Sequence, residues 1–337
     1  MKKNVFFAFV AASVLFGFSG CDHETDEFDG PDLVDRFGAF AVISELEISR
    51  DTVHFEAGET VVFNAEFNKS INWIVTITGS ESGAVKRIEG FSRFVNSENA
   101  TWEGSTTDLP FFRVEGCIVE FTVPEEPSFV GTGEIVIGST RVYPGLLFTD
   151  FEEEPGTNIR VRNFQFELNL AESGRRDSSV IPPAQGEFSL VLTGSDNAQD
   201  PFVGLIEVYS ELSGSTYLQL TSNDPSNIFF NCFLYGDGRP NAIAIVQLVI
   251  DSNDNETFED VTDATYQPEN VVPITWNGWQ LYSLTLADFG IPEADMDRIL
   301  LARILLINDR ANNPIPPDEI QFGVDYMTFT QGTPFQL

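Results

Sequence analysis

The chain has few of the residues on which common enzyme active sites depend. Its 337 residues include two histidines, His23 and His54, and three cysteines. Because no histidine follows His54, the long remainder cannot hold a Ser-His-Asp triad, a Cys-His nucleophile or a histidine zinc site. No Gly-rich phosphate loop or other recognised catalytic motif occurs. We therefore expect a protein that is not an enzyme, although its 52 Asp and Glu residues leave a glycosidase-type carboxylate pair open.

Basic residues are also scarce. The sequence has 18 Lys and Arg against 52 Asp and Glu, which gives a formal net charge of −34 at pH 7. A surface of this sign repels polyanions over a Debye length of about 8 Å at physiological salt. Nucleic acid is therefore excluded as a partner.

Long apolar runs are absent except at the N-terminus. Lys2 and Lys3 precede an apolar stretch over residues 5–18. A membrane-spanning helix needs about 20 apolar residues, so this run is too short to span a bilayer. It has the features of a signal peptide, which we assign to residues 1–20.

The end of this peptide, Phe18-Ser19-Gly20-Cys21, resembles a bacterial lipobox. In that motif small residues admit the signal peptidase, and the Cys thiol is acylated before cleavage. The resemblance covers only the first 21 residues and departs from the usual Leu at Phe18. It implies lipidation of Cys21, as by palmitate, and an anchor held by about 0.8 kcal/mol per buried methylene. The alternative is an ordinary secretory signal with a Cys that is not lipidated.

Acidic residues follow the lipobox in a segment that we interpret as a tether over residues 21–39. Lipoproteins of Gram-negative glycan-degrading bacteria carry a similar acidic run that marks them for the cell surface. This resemblance implies a lipid anchor at the outer membrane, with the protein facing outward. In enteric bacteria an Asp directly after the Cys implies inner-membrane retention, so the sidedness stays open. The acidic residues are Asp22, Glu24, Asp26, Glu27 and Asp29.

The two remaining cysteines, Cys117 and Cys232, each lie inside an apolar, strand-like run. Exported proteins favour paired cysteines, so a disulfide is one alternative. A lone Cys among Ile, Phe and Val more often packs as a small hydrophobic side chain. We therefore expect two buried free thiols.

Short alternating or apolar runs broken by Gly, Pro, Asn and Asp predict an all-β protein. Residues 40–143 supply enough runs for one immunoglobulin-like sandwich, with Trp73 as a core anchor. Pro144-Gly145 marks the expected boundary. Residues 146–331 supply eight or more runs, which suggest a larger jelly roll. The runs in this part begin at residues 146, 188, 203, 228, 242, 280, 299 and 320.

Three segments of the second part resemble the galactose-binding-like jelly roll of carbohydrate-binding modules. They are Asp150-Phe151-Glu152, the stretch from Trp276-Asn277-Gly278-Trp279 to Phe289, and Val324-Asp325-Tyr326-Met327-Thr328-Phe329. We interpret Gly278 as a tight turn into its strand, Trp279 as a plug of the sandwich interior and Phe289 as the closure of its far end.

The same resemblance implies a structural Ca²⁺ held by Asp150, Glu152 and Asp325, because Ca²⁺ prefers hard oxygen ligands. The alternative is three carboxylates on solvated strand ends. The segment from Asp251 to Glu259 has the oxygen spacing of a calcium loop, but Glu256 stands where an EF-hand needs Gly. We therefore expect a hairpin loop there.

A sugar site needs aromatic faces and groups that bond hydroxyls, arranged on rigid strands. The candidates in the second part are Tyr235, Arg239, Tyr266, Trp276 and Asn277. An alternative for Trp276 is packing beneath its loop.

Together these observations predict a cell-surface lipoprotein that binds glycan through its C-terminal jelly roll. It resembles accessory proteins of polysaccharide-utilisation systems, which implies neighbouring transporters or hydrolases as partners and a spacer role for the first sandwich. One alternative is an adhesive or assembly lipoprotein that contacts another protein, since fold alone does not decide function. A carbohydrate-active enzyme is a weaker alternative.

Overall fold

The structure, a computed structural model, is built almost entirely from β-strands, which confirms the all-β prediction. Within the described residues the regular helices are short 3₁₀ turns such as Phe55–Ala57 and Glu293–Asp295, and none is long and apolar enough to cross a bilayer. The signal peptide, Cys21 and the tether up to residue 37 lie outside the described residues. The structure describes residues 38–154, 156, 158–163, 173–195, 201–210, 214–314 and 318–337.

The N-terminal part forms a seven-stranded sheet with the order β1-β3-β6-β7-β2, in which β4 and β5 also pair with β3. The first half of β3 pairs with β1 and β5 and its second half with β6, while β4 pairs with both halves across a register shift. The pairing of β2 with β7 is parallel. The assignment of this part to the immunoglobulin class stays a prediction. The strands are β1 (Val42–Ile48), β2 (Thr52–His54), β3 (Val61–Gly79), β4 (Val85–Val95), β5 (Thr101–Trp102), β6 (Gly116–Thr122) and β7 (Val130–Ser139).

Alternation along β3 explains the core of this sheet. Every second residue from Val61 to Phe67 is buried, as expected for a strand with one face on a core. Trp73 is fully buried, which confirms its predicted role, and its indole N–H donates to the Ser92 hydroxyl at 2.9 Å. Cys117 is a buried free thiol, as predicted, and burial raises its pKa to about 12.

The buried carboxylate of Glu115 organises two turns of this N-terminal sandwich. It accepts hydrogen bonds from the backbone amides of Glu81 (2.6 Å), Ser82 (2.9 Å) and Arg113 (3.0 Å) and from the Ser82 hydroxyl. Burial by itself raises the pKa of Glu115, but these hydrogen bonds outweigh it and hold the pKa below its ordinary value. Glu115 therefore fixes the β3–β4 turn against the start of β6.

The C-terminal part is a sandwich of two antiparallel six-stranded sheets. The front sheet has the order β10-β11-β19-β13-β17 with β8 beside β19, and the back sheet has the order β15-β14-β18-β12-β9 with β16 beside β14. The strands are β8 (Leu146–Thr149), β9 (Ile159–Asn163), β10 (Gly174–Arg176), β11 (Ser189–Gly194), β12 (Phe202–Tyr209), β13 (Ile228–Asp237), β14 (Ala242–Ile250), β15 (Ala264–Tyr266), β16 (Val272–Ile274), β17 (Asn277–Thr285), β18 (Ile299–Asn308) and β19 (Ile320–Gln331).

Side-chain alternation separates the two faces of the front sheet. On β13 the even residues Ile228, Phe230, Cys232 and Leu234 lie in the core between the sheets, so the odd residues lie on the outer face. Cys232 is a buried free thiol, as predicted. Phe289 is buried with its ring centroid 6.0 Å from that of Phe230, which agrees with its expected closing role.

An aromatic contact joins the two sandwiches. Phe111, in the loop between β5 and β6, is 3% exposed and its ring centroid lies 5.4 Å from that of Phe233 on β13. Its backbone N–H donates to the Ala184 carbonyl at 2.7 Å. Near the C-terminus, Phe335 packs into the same interface. We call this group the interdomain cluster; its buried members are Phe111, Ala184, Phe233 and Phe335, with Leu109, Tyr143, Trp279, Leu281, Tyr326 and Leu337 packed against them.

Candidate functional site

The outer face of the front sheet carries aromatic and polar side chains together at the end of β13. Tyr235 lies opposite Trp279 of β17, and Asp237 lies opposite Asn277. Because these positions are two residues apart, their side chains lie on the same face of the sheet. Arg239 follows in the turn after β13. We call Tyr235, Asp237, Arg239, Asn277 and Trp279 the platform.

The two aromatic rings of the platform contact each other edge to face. Their centroids are 5.3 Å apart with an interplanar angle of 65°, a geometry that the ring quadrupoles favour. The indole N–H of Trp279 donates to the Pro182 carbonyl at 2.7 Å, which fixes its orientation. Both side chains are half-buried, so part of each ring faces solvent.

Gly323 of β19 provides the space for this ring pair. A Cβ at residue 323 would lie 2.9 Å from Cη2 of Trp279 and 3.0 Å from Cβ of Tyr235, closer than carbon atoms pack. The absence of a side chain at Gly323 therefore lets both rings lie down against the sheet.

Polar groups border the rings on one side. Arg239 forms an ion pair with Asp237 and donates to the Glu319 carbonyl at 2.7 Å. The hydrogen bond with Asp237 raises the pKa of Arg239, which stays charged at every pH of interest. The Arg239 side chain is 45% exposed and Asn277 is exposed. A guanidinium and an amide are thus available to solvent beside the aromatic pair.

Trp276 has a different role from its neighbour Asn277. Its indole N–H donates to the Leu234 carbonyl at 3.2 Å, and its ring packs against the core of the C-terminal sandwich. The backbone N–H of Gly238 donates to the Trp276 carbonyl at 2.9 Å. Trp276 therefore supports the platform from beneath, which is the packing alternative that the sequence left open.

Tyr266 does not join the other four predicted residues. It pairs with Leu248 near one end of β14, whereas Ile274, which leads to Trp276, pairs with Ala242 at the other end. Six residues of strand separate these positions, which corresponds to about 20 Å at about 3.3 Å per residue. The Tyr266 hydroxyl donates to the Asp295 carboxylate at 2.9 Å. The grouping of Tyr266 with Trp276 is corrected accordingly.

The sequence assigned the wrong face to Trp279. Tyr282 and Leu284 of β17 pack against the core between the sheets, so alternation places Trp279 on the outer face, and it lies there in the interdomain cluster. Trp279 therefore does not plug the sandwich interior. The alternation of side chains along β17 would have predicted the correct face for Trp279.

The three carboxylates predicted to bind calcium lie near one loop, residues 182–188. Asp325, fully buried, accepts from the backbone amides of Ala184 (2.8 Å) and Gln185 (3.0 Å). Glu152 accepts from those of Glu187 (2.9 Å) and Phe188 (3.0 Å). The loop thus wraps two acidic side chains with its amide donors.

Two opposing effects act on the pKa values of these carboxylates. Burial raises the pKa of Asp325 well above its ordinary value and also raises that of Glu152; backbone amide donors oppose both shifts. Asp150 lies close enough to Glu152 to add to its rise. Among the described residues, however, no group of three or more His, Cys, Asp or Glu is arranged to hold a metal ion. The calcium site at Asp150, Glu152 and Asp325 stays a prediction.

Calcium binding at these carboxylates has a direct test in the melting temperature. A ligand bound only to the native state stabilises it, by about 2.7 kcal/mol at one hundred times its Kd. We expect CaCl₂ added to chelator-treated protein to raise the melting temperature, and Asp150→Asn to reduce that rise. Asp297→Asn, at a side chain that is 80% exposed and outside both calcium candidates, is the matched control. An unchanged melting temperature with and without CaCl₂ would remove calcium from the description of this loop.

The second calcium candidate is a hairpin loop, as predicted, because β14 and β15 pair at its ends. Its buried Asp251 accepts from the Tyr217 hydroxyl at 2.6 Å and from the backbone amide of Glu256 at 2.7 Å. The carboxylate thus holds the loop together through hydrogen bonds.

Comparisons with known proteins return likenesses of fold. No protein-family model matches the sequence, and no curated protein matches it. Among solved structures, the chain is similar to one concerned with carbohydrate-binding modules from the β-sandwich superfamily (15% identity, 87% of this chain and 98% of that chain, TM-score 0.35). It is also similar to SGBP-B from a complex xyloglucan utilization locus in Bacteroides uniformis (14%, 85% and 72%, TM-score 0.37).

A third likeness is the family 11 carbohydrate-binding module from Clostridium thermocellum, with 11% identity over 57% of this chain and 98% of that chain and a TM-score of 0.35. Identities and TM-scores this low carry no information about a ligand. What the protein binds has to be argued from its own residues.

Proposed function

We propose that this protein binds polysaccharide at the platform. The observation that carries the proposal is the ring pair of Trp279 and Tyr235, held against Gly323 and bordered by Arg239 and Asn277. Sugar rings present C–H groups that pack on aromatic faces, and their hydroxyls bond to amide and guanidinium groups. These groups sit on or beside paired strands, so they are rigid before the ligand arrives, which lowers the entropic cost of binding.

The charge of the protein favours a neutral polysaccharide. The chain carries a formal net charge of −34, and the one guanidinium of the platform is already paired with Asp237. A polyanionic glycan would have to approach against this field with no unpaired cation at the platform to receive it.

The platform supports binding of a glycan without its cleavage. Glycoside hydrolysis uses two carboxyl groups, one on each side of the scissile bond. Asp237 is the carboxylate of the platform, and it is already engaged in an ion pair with Arg239. An acid partner across the rings is not among the platform residues.

The proposal includes a cell-surface location, based on the lipobox and the acidic tether. Lipidated Cys21 would anchor the chain at the outer membrane, and the N-terminal sandwich would hold the platform away from the lipid. The bound polysaccharide would then lie within reach of neighbouring transporters or hydrolases. Protease treatment of intact cells should degrade the protein; protection from the protease would place it on an inner face.

Affinity electrophoresis tests the proposed binding. We expect the chain from Asp22 onward to be retarded by a neutral polysaccharide. We expect Trp279→Ala to weaken that binding about 5- to 160-fold, if a sugar ring stacks on an aromatic side chain about as strongly as a nucleic-acid base does, which is worth about 1–3 kcal/mol. Tyr266→Ala, about 20 Å away by strand geometry, is the matched aromatic control and should bind as the unaltered chain does. Equal retardation of Trp279→Ala and the unaltered chain would refute the platform as the site.

An adhesive or assembly role is a second candidate, favoured by apolar residues at the surface of the N-terminal sandwich. Phe91 and Phe94 of β4 are 67% and 50% exposed. Strand β4 pairs with β3 along one side, and exposed apolar edges of this kind serve as protein contacts. Failure of every polysaccharide in the electrophoresis panel, together with capture of a partner that Phe91→Ala abolishes, would favour this role.

A further inference from the structure

A cavity of about 260 Å³ lies between the two sandwiches. The N-terminal sandwich and the segment after it contribute Phe111, Arg141 and Tyr143, and the C-terminal sandwich contributes Asp150, Gln185 and Tyr326. None of the platform residues lines it. The cavity is therefore a separate place in the molecule, formed only when the two sandwiches are in contact.

One polar atom of this cavity's lining lacks a partner. The side-chain oxygen of Gln185 is buried and accepts no hydrogen bond from the described residues. Leaving such an acceptor unsatisfied costs about 1–3 kcal/mol, so buried polar atoms in native proteins nearly always have a partner. A ligand that donates a hydrogen bond in this cavity would satisfy it once the Gln185 side chain turns toward the cavity, because in this arrangement the oxygen has almost no solvent-accessible surface.

The other lining groups supply both donors and acceptors. Arg141 pairs with Glu103 at 3.0 Å on its outer side, and its guanidinium lies over the Tyr143 ring, 5.2 Å from the centroid. Burial, together with neighbouring Asp150 and Asp325, raises the pKa of Tyr326 to about 12, so its phenol keeps its proton at physiological pH. The Asp150 carboxylate adds an acceptor to the lining.

Aromatic rings make the walls of the cavity stiff. The ring centroids of Phe111 and Tyr143 are 4.8 Å apart, and those of Phe111 and Tyr326 are 5.6 Å apart. Packed rings have few alternative rotamers and hold their positions. The space between them therefore has a defined size, below the roughly 300 Å³ at which sites for drug-sized ligands begin.

We propose that this cavity binds a single neutral monosaccharide ring. A ring with several hydroxyls both donates and accepts hydrogen bonds, which matches the mixture of phenol, guanidinium, amide oxygen and carboxylate around the cavity. Its apolar C–H edges match the aromatic walls. A chain of several sugars would not fit a space of about 260 Å³.

Two other ligand classes match this cavity less well. Calcium takes 6–8 oxygen ligands and favours carboxylates. The side chains of this lining offer one carboxylate, one amide oxygen and three neutral hydroxyls, and they include Arg141, whose charge repels a cation. An anion would meet Asp150 in a chain that is strongly acidic throughout. A neutral polyol avoids both conflicts.

Calorimetric titration of the chain from Asp22 onward with a panel of neutral hexoses and pentoses tests the proposal. We expect one of them to bind with one ring per chain. Gln185→Met and Tyr326→Phe, which keep the shape of their side chains, should each weaken that binding about fivefold, as expected for one lost hydrogen bond. Both variants should keep the polysaccharide retardation of the unaltered chain, because the platform is intact.

Arg239→Ala separates the two sites, because Arg239 belongs to the platform and neither lines the cavity nor packs in the interdomain cluster. It should weaken polysaccharide retardation and leave monosaccharide binding in place. The cavity proposal is overturned if no monosaccharide binds, or if Arg239→Ala removes monosaccharide binding while Gln185→Met and Tyr326→Phe do not. Heat that appears only with CaCl₂ and is lost in Asp150→Asn would also overturn it, in favour of a cation. If one of the two hydrogen-bond variants does not melt cooperatively, the other variant tests the proposal by itself, because each removes a different hydrogen bond.

Discussion

Replacing Phe111 with Ala is expected to lower the free energy of unfolding by about 3–5 kcal/mol, the usual cost of truncating a buried Phe. The ring fills the centre of the interdomain cluster and contacts Phe233, Tyr143 and Tyr326. Its loss leaves a cavity that neither sandwich can close alone, because the contacts come from both. We therefore also expect the thermal transition to separate into two, as the sandwiches cease to unfold together.

The control for this substitution is Phe91→Ala. Phe91 is 67% exposed, so the same chemical change there should alter stability by no more than about 0.5 kcal/mol. Urea unfolding followed by tryptophan fluorescence measures both variants. If Phe111→Ala unfolds within about 0.5 kcal/mol of Phe91→Ala, the interdomain cluster does not hold the sandwiches together.

Glu115→Gln should cost about 2–3 kcal/mol at pH 7, in the range of hydrogen bonds to a charged group. The Glu115 carboxylate accepts three backbone amides and the Ser82 hydroxyl. A Gln amide nitrogen in place of one oxygen would direct its own hydrogens at those donors. The β3–β4 turn would then lose its attachment to β6.

The pH dependence of this effect follows from the lowered pKa of Glu115. A carboxyl group whose pKa is lower in the folded state stabilises the fold above its unfolded pKa, which is about 4.3 for Glu. That contribution is lost as the pH falls through the folded value. The difference between Glu115→Gln and the unaltered chain should thus be full at pH 7 and shrink below about pH 4. Glu120→Gln, at an exposed position of β6, is the matched control and should change stability at pH 7 by no more than about 0.5 kcal/mol.

Strand patterns in the sequence predicted most of the fold. The apolar run at residues 242–250 coincides with β14, Ala242–Ile250, which lies between other strands of its sheet and has no exposed residue. A search for apolar runs does not predict strand β4, Val85–Val95, because charged residues interrupt its apolar ones. They are Lys86, Arg87, Glu89 and Arg93. Charged residues are what natural sheets place on edge strands, and they conceal such strands from a search for apolar runs.

The candidate site was only partly predictable. Tyr235, Arg239 and Asn277 meet because β13 and β17 pair in one register, and the sequence motif around Trp276 pointed near them. Tyr266 was grouped with Trp276 because the two residues are close in sequence. That closeness does not determine the end of β14 at which the short strand carrying Tyr266 pairs. Strand register is a property of the whole sheet, and no local pattern contains it.

No pattern in the sequence predicts the contact between the two sandwiches. Phe111 and Phe112 are adjacent in an irregular loop, yet Phe112 packs into the N-terminal core and Phe111 into the interdomain cluster. Without a strand or helix period, nothing assigns the two rings to opposite sides. The cavity beside Phe111 was hidden for the same reason.

The loop at residues 182–188 also defines a path for mechanical force. Its Pro182 carbonyl holds the Trp279 indole, and its Ala184 carbonyl holds the backbone of Phe111. Tension applied to a polymer on the platform would pass through these two hydrogen bonds to the N-terminal sandwich, in parallel with the covalent chain at Pro144-Gly145. In a protein tethered at one end and pulled at the other, this loop would carry load together with the covalent chain, and we expect its two hydrogen bonds to break first.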